Sequence, residues 1–392
     1  MQYLIILGFV GGQLLKLPYF NLGGITALDL LCLIFCLLSI FKLLGQKIKI
    51  NLPIYFKFGL SFIGICLISL LLSPLHLTTI ERLVSFSYTI RFGIYLLTSF
   101  FVSLNFFAVK KNTSNVLILS GAMLATLGLL QLIFIPDLSF LAQYGWDPHF
   151  FRTVSTFLDP NFAGAFFGLT LVLLFLNLDQ FKLKERIILF TIVFIALTTT
   201  FSRGSYLLFG VSFLTISLFK KSLKALILTA VLSSVLIVSF FIYQPFVAAP
   251  KNVSREKSAE ARVGTWEQGL EIFNRAPLLG VGFNSYRFAL QQFQLAPPDQ
   301  INSHGGASND SSLLFVLDTT GIIGLIIYLG FLFAILWTAW QQWQRRNIWG
   351  LIVFSGLLGL VAQSFFANTL FYPQLLGYLM FSLAQLSPKT SS

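Results

Sequence analysis

Apolar residues run along this chain in long continuous stretches, each broken by a few polar residues, a glycine or a proline. A run of about 20 apolar residues is what an α-helix needs to cross about 30 Å of hydrocarbon. A membrane β-barrel alternates apolar and polar positions instead. Reading the runs with a window of about 19 residues gives about twelve spans. They fall near 2–16, 25–45, 54–73, 84–108, 114–135, 161–179, 186–201, 205–219, 224–245, 311–339, 348–367 and 371–386. The pattern predicts an all-α polytopic membrane protein of about 12 transmembrane helices, with one large extracytoplasmic loop carrying short helices. It divides into N-terminal transmembrane helices over 1–150, a core over 151–343 that includes the loop 244–310, and C-terminal transmembrane helices over 344–392.

Composition agrees: of 392 residues, 56% are hydrophobic and only 10% charged. The net charge of +12 would suit nucleic acid were it spread over a soluble surface. Instead the cations cluster between spans, at Lys42/Lys47/Lys49, Lys110/Lys111, Lys182/Lys184/Arg186, Lys220/Lys221/Lys224, Arg345/Arg346 and Lys389. They occupy every second connector, where the only acids are Asp179 and Glu185. Positively charged connectors stay cytoplasmic, so both termini are expected inside, the loop outside, membrane lipids around the chain and no nucleic-acid partner. The start, Met1-Gln2-Tyr3-Leu4, lacks a basic leader and reads as an uncleaved first span. Cys32, Cys36 and Cys66 lie inside apolar runs and suggest packing, with no disulfide framework.

That orientation brings the candidate chemistry to one face. Ile187 to Phe201 ends at Ser202-Arg203-Gly204, where the next apolar run begins. An arginine at mid-bilayer costs roughly 2.5–3.5 kcal/mol, so Arg203 between two such runs needs an anion or an interface. In the long connector, Val263, Trp266, Leu270 and Phe273 step by helical spacing into one apolar stripe over residues 258–275, with Arg262 one turn before Trp266. Gly280 and Gly282 make a turn without the strand–turn–helix context of a dinucleotide site. A short helix over 285–293 follows, then the polar strip 302–310. There His304 stands without a second His or Cys, so no metal or other cofactor is expected, and Asn309 or Asp310 suits a helix N-cap. Asp159 or Asn161 suits a cap in the same way after Arg152. Arg152, Arg203 and Arg262 thus converge with a histidine on the outer face. Arginine grips phosphate through a planar fork, and a diphosphate at a membrane surface is a lipid-linked one.

Together the motifs resemble the O-antigen ligase and O-antigen polymerase superfamily of bacterial envelope proteins. The resemblance rests on Thr200-Phe201-Ser202-Arg203-Gly204, on Thr156-Phe157-Leu158-Asp159-Pro160-Asn161, and on Arg262-x-x-x-Trp266 followed by Ala276-Pro277-Leu278-Leu279-Gly280-Val281-Gly282. It rests also on Leu313-Leu314-Phe315 leading to Thr320-Gly321 and Gly324. It implies a metal-independent glycosyltransferase of the bacterial inner membrane. Such an enzyme moves a glycan from an undecaprenyl-diphosphate carrier to a lipid or glycan acceptor at the outer leaflet, in lipopolysaccharide or polysaccharide biosynthesis. It implies that Arg203 and Arg262 bind the donor diphosphate and that a histidine before the tenth span handles the acceptor hydroxyl; Arg152 is expected to join those arginines, with Asn161, Trp266 and Asn309 supporting the site. The family often sets a His-Asn pair at the mouth of that span. This chain has Ser308-Asn309-Asp310 there, so either His304 reaches back or Asp310 takes the acid–base role.

Ligase and polymerase share the donor chemistry, and these residues do not separate them. A transporter or flippase for a lipid-linked or anionic solute would place charges near the midplane of several spans, whereas here they gather at the outer rim. A scaffold whose loop binds another envelope protein would have no need of Arg203.

Overall fold

A computed structural model describes residues 1–20, 22–45, 52–176, 181–245 and 255–386. Lys47, Lys49, Asp179 and Lys389 of the basic connectors, and residues 246–254 of the long loop, lie outside them. The elements are α1 (Gln2–Gly11), β1 (Lys16–Tyr19), β2 (Gly23–Thr26), α2 (Ala27–Leu44), α3 (Ile54–Leu71), α4 (Thr79–Ser103), α5 (Val109–Phe134), α6 (Pro160–Leu176), α7 (Leu183–Thr199), α8 (Arg203–Phe219) and α9 (Leu223–Tyr243). The long loop holds α10 (Arg255–Arg275), α11 (Tyr286–Gln292) and α12 (Pro298–Asn302), before α13 (Ser312–Gln344), α14 (Ile348–Gln363) and α15 (Pro373–Leu383) close the chain.

A helix stands at each place where the hydropathy pattern puts a span. By length and composition, six described segments can cross a membrane: α2, α3, α4, α5 with its preceding turn, α9, and α13 with its lead. The apolar helices α1, α6, α8 and α14 run only 10–17 residues. Short does not mean peripheral: α6 is apolar all round and buried on nearly every face among α5, α7, α8 and α14. Exposed apolar surface lies elsewhere, at Phe41, Leu44, Phe134, Phe241 and Phe333, and suits contact with lipid.

The first predicted span, 2–16, is corrected. α1 stops at Gly11 because Gly12 turns the chain with φ +52°, and a Cβ there would strike Thr156. Gln13 N–H then donates to the Thr156 carbonyl at 2.9 Å, and the chain continues into the antiparallel β1–β2 hairpin, in which Lys16 pairs with Thr26 and Leu17 with Ile25.

α13 is broken at Gly321, whose φ of +67° and ψ of −172° only glycine adopts without strain. The break frees the carbonyls of Asp318 and Thr319 and the N–H groups of Ile322 and Ile323, which an intact helix would pair with one another. The Pro277–Gly282 turn takes up all four. Val281 and Gly282 donate to the carbonyls of Asp318 and Thr319 at 3.2 and 3.0 Å, and Ile322 and Ile323 donate to Pro277 and Leu278 at 2.9 and 3.4 Å. The backbones approach so closely that a Cβ on Gly280 or Gly321 would collide with the opposite main chain. Ser69 of α3 reaches the carbonyls of Leu279 and Thr319 at 2.6 and 2.7 Å. Phe283, just past the turn, packs on Phe62, Phe315 and Phe371 at 5.6–5.7 Å.

Gly321→Ala is expected to destabilise the protein by at least about 1–3 kcal/mol from backbone strain alone, and Gly280→Ala to act in the same direction. Gly64→Ala and Gly210→Ala, where a Cβ meets nothing within 4 Å, should leave the melting temperature in detergent near that of the parent. Equal melting temperatures for all four variants would refute the seam.

Candidate active site

The connectors expected on the outer face meet at one end of the bundle around a cavity of about 760 Å³. Into it come Lys16 from β1, Arg91 from α4, Arg152 and Asp159 from the α5–α6 connector, Asn161 from the start of α6, Arg262 from α10, and His304 and Asp310 from the strip before α13. Of the residues singled out in the sequence, Arg152, Asn161, Arg262, His304 and Asp310 therefore share one wall-to-wall space. Arg203, Trp266 and Asn309 do not line it.

Each has a local reason for its position. Arg152 is buried and donates from Nε to the Thr200 carbonyl at 2.8 Å and from Nη2 to Phe201 at 3.4 Å. It thus ties the cavity to the turn that carries Ser202 and Arg203. Asp159 accepts from the Asn161 N–H at 2.6 Å at the start of α6. Asn161 in turn accepts from the Ser202 hydroxyl at 2.7 Å, and its carbonyl accepts from Ser205 at 3.0 Å and Gln363 at 2.8 Å. The two sequence motifs around Asn161 and Arg203 are thereby one packed unit of α6, α8 and α14. Arg203 itself points out, exposed, with its guanidinium 5.9 Å from the Phe240 ring. Asn309 is buried, donating to the Thr265 carbonyl at 2.6 Å and accepting from the Ser311 N–H at 2.9 Å, so it joins α10 to the head of α13. Trp266 lies half-buried 6.1 Å from Phe366.

The stripe predicted for the loop helix lies largely off the face that packs on α13. α10 packs on α13, yet Val263 and Leu270 of the stripe are 50% and 46% exposed. The packed face is Thr265, Gly269 and Ile272, because Gly269 leaves room for Asn309 and Asp318. Beside a membrane an apolar stripe has two possible hosts, lipid and protein, and helical spacing alone does not choose between them.

Electrostatically the cavity has two poles. At the first, burial pushes the Asp310 carboxyl up to about 6; Arg262 opposes the shift, and Asp147 and Asp159 add to it. Asp159 is likewise raised, first by burial and further by Asp147, against Arg152. Thr265 donates to Asp310 at 3.3 Å. At the second pole burial lowers Lys16, and Arg91 and Arg287 repel it. His304 is pushed down to about 4 by burial against its surroundings, by Lys16 and by Arg287, although part of its side chain remains open to solvent. Its ring lies on Trp146 with centroids 4.0 Å apart. Arg91 is held bidentate by Asp29, at 3.0 and 2.9 Å. Among the described residues no group of three or more His, Cys, Asp or Glu side chains is placed to hold a metal ion.

Lys16, Trp146 and Asp147 line the cavity without a sequence signature, and Arg287 acts electrostatically on Lys16 and His304 from outside its lining. Lys16 was hidden in a segment read as the end of an apolar span, and only the Gly11-Gly12 pair marked the turn. Arg287 sits in the short helix after the glycine turn, where nothing local distinguishes it from a solvated arginine.

Compared with known families, residues 188–329 match the family model described as O-antigen ligase. A comparison with curated proteins finds no match. The matched stretch runs from α7 across α10–α12 to just past the break in α13, so it includes Arg203, Arg262, His304, Asp310 and the glycine seam.

Because folding raises the Asp310 carboxyl from its ordinary 3.8 to about 6, the folded protein disfavours the ionised form. Stability tied to this group is present below pH 4 and is lost as pH rises toward 6. Asp310→Asn should therefore melt above the parent at pH 7.5, with the gap closing near pH 4. A gap that is constant with pH would show that the carboxyl is not raised.

Proposed function

We propose that this chain, which carries the O-antigen ligase domain of a membrane enzyme of O-antigen or polysaccharide assembly, is a glycosyltransferase of the bacterial inner membrane. Its donor is an undecaprenyl-diphosphate-linked glycan and its acceptor a lipid or glycan at the outer leaflet, with both termini cytoplasmic. The observation that carries the reading is the meeting of Arg262 and Asp310 in one cavity, a permanent cation beside a carboxyl that titrates near neutrality.

In the transfer, an acceptor oxygen bonds to the anomeric carbon while the bond from that carbon to the diphosphate oxygen breaks. Negative charge grows on the departing undecaprenyl diphosphate. Arg262 faces that charge, and a preorganised cation is worth most where charge develops. Arg203, on the turn fastened to Arg152, meets the carrier from the flank of the cavity, while Arg152 acts as a positioning residue through its bonds to Thr200 and Phe201. The acceptor proton passes to Asp310. A base serves best with a pKa near the working pH, which favours a carboxyl at about 6 over an imidazole at about 4. His304, neutral and lying on Trp146, orients the acceptor.

Arg262→Ala and Asp310→Asn should each lower transfer in membranes on the order of 10²–10³-fold while the protein still inserts, and Arg203→Ala should weaken it as well. In the parent, kcat/KM should rise with pH through about 6, and that limb should vanish in Asp310→Asn. Full activity in Arg262→Ala would remove the diphosphate assignment. A single glycan added per acceptor marks a ligase, and a ladder of repeats marks a polymerase.

A further inference from the structure

This chemistry leaves two basic groups near the hairpin end of the cavity unused: Lys16, which lines it, and Arg287, which lies outside the lining and bonds to Ser303 next to His304. Lys16 enters from β1, and the pleat that turns Lys16 and Thr26 inward leaves the paired Leu17 and Ile25 67% and 43% exposed. Its stem crosses Gly24, where a Cβ would run into Lys16 Cε. Arg287 stands behind His304: its Nη2 donates to the Ser303 carbonyl at 2.7 Å, while its buried Nε meets no acceptor among the described residues. The carboxylate within reach of Lys16, Asp29, is already spanned by Arg91. Asp147, Asp159 and Asp310 act on one another and on Arg152 and Arg262 at the other pole. Lys16 and Arg287 therefore repel each other across a half-buried wall, beside a neutral imidazole, with no acid of their own among the described residues.

Keeping like charges together out of bulk water is unfavourable unless an anion joins them. A lysine, an arginine fork and an imidazole together suit the oxygens of a phosphate or a carboxylate. The exposed apolar flank of the hairpin, Leu14, Leu15, Leu17 and Phe20, sets this wall beside lipid, where a membrane-borne substrate arrives. We propose that Lys16, Arg287 and His304 form a second anion subsite, separate from the diphosphate pole, that holds a phosphate or carboxylate group of the acceptor. The acceptor is then an acidic, membrane-borne glycan. The assignment to the acceptor rests on the glycan-transfer reading above.

Inorganic phosphate is the probe. The full chain, labelled at its 3 histidines and held in nanodiscs of uncharged lipid, is titrated with phosphate while the His304 ring is followed by NMR, with His304→Gln giving the assignment. Phosphate should raise the pH at which His304 titrates by on the order of 1–2 units. Lys16→Gln or Arg287→Gln should weaken phosphate binding about tenfold or more, Lys16→Arg should restore it, and Arg262→Ala should leave it within about twofold. Saturating the protein first with undecaprenyl diphosphate separates the two sources of the anion. A phosphate response that survives places the subsite on the acceptor side; a response that disappears gives it to the carrier and overturns the proposal, as does no response in the parent. Carrier binding that is the same in the parent and in Arg262→Ala would sink the donor reading on its own, without touching the phosphate result.

Discussion

The backbone seam between the Pro277–Gly282 turn and the broken α13 is the constraint from which the site follows. A helix interrupted within an apolar bundle leaves carbonyls and N–H groups that water does not reach, and each would cost several kcal/mol if unpaired. The turn supplies a partner to each of the four groups at the break, and only glycine at 280 and 321 lets the two main chains come that close. With the turn fixed, Phe283 is locked among Phe62, Phe315 and Phe371, and α10 is laid against α13 through Asn309 and Gly269. Arg262 and Asp310 then face the cavity from two sides of the same junction. The loop between α9 and α13 is long, but its described part is anchored by main-chain bonds rather than by side chains alone.

Charge is distributed to match that geometry. The acid–arginine pole joins Arg262 and Arg152 to carboxyls, of which burial raises Asp159 and Asp310. The hairpin pole is basic and keeps His304 neutral. One helix pair, α6 and α8, links the two arginines found in separate motifs, because Asn161 and Ser202 bond directly while Arg152 grips Thr200 and Phe201. A polar network of this kind positions groups to within hydrogen-bond tolerance, which chemistry on a loop would otherwise lack.

Helix positions were legible in the sequence because lipid imposes one rule along the whole chain: a long apolar run must become a helix. The ends were less so. α1 closes at Gly12 rather than 16, since a tertiary contact with Thr156 outweighs the apolar character of Leu14 and Leu15. The side of α10 that packs was not legible, because Val263 and Leu270 of its apolar stripe are exposed while Gly269 and Ile272 are buried. Arg152, Arg262, His304 and Asp310 were legible as polar residues on connectors that charge bias places together, and the cavity gathers them. Lys16 and Arg287 were not, because the charge interaction between them joins chain positions more than 250 residues apart through a hairpin and a short helix that carry no local signature. Arg203 was the most conspicuous residue in the sequence, yet it stands at the cavity's flank and is tied to it through its neighbours.

Transfer of a glycan, as against its binding or its passage across the bilayer, leaves two products that can be counted. Purified protein in liposomes, supplied with an undecaprenyl-diphosphate-linked glycan and an acceptor, should release undecaprenyl diphosphate in proportion to a new glycosidic product, and both should fall together in Arg262→Ala. Glycan that crosses the bilayer still attached to its carrier, with no diphosphate released, would contradict the account.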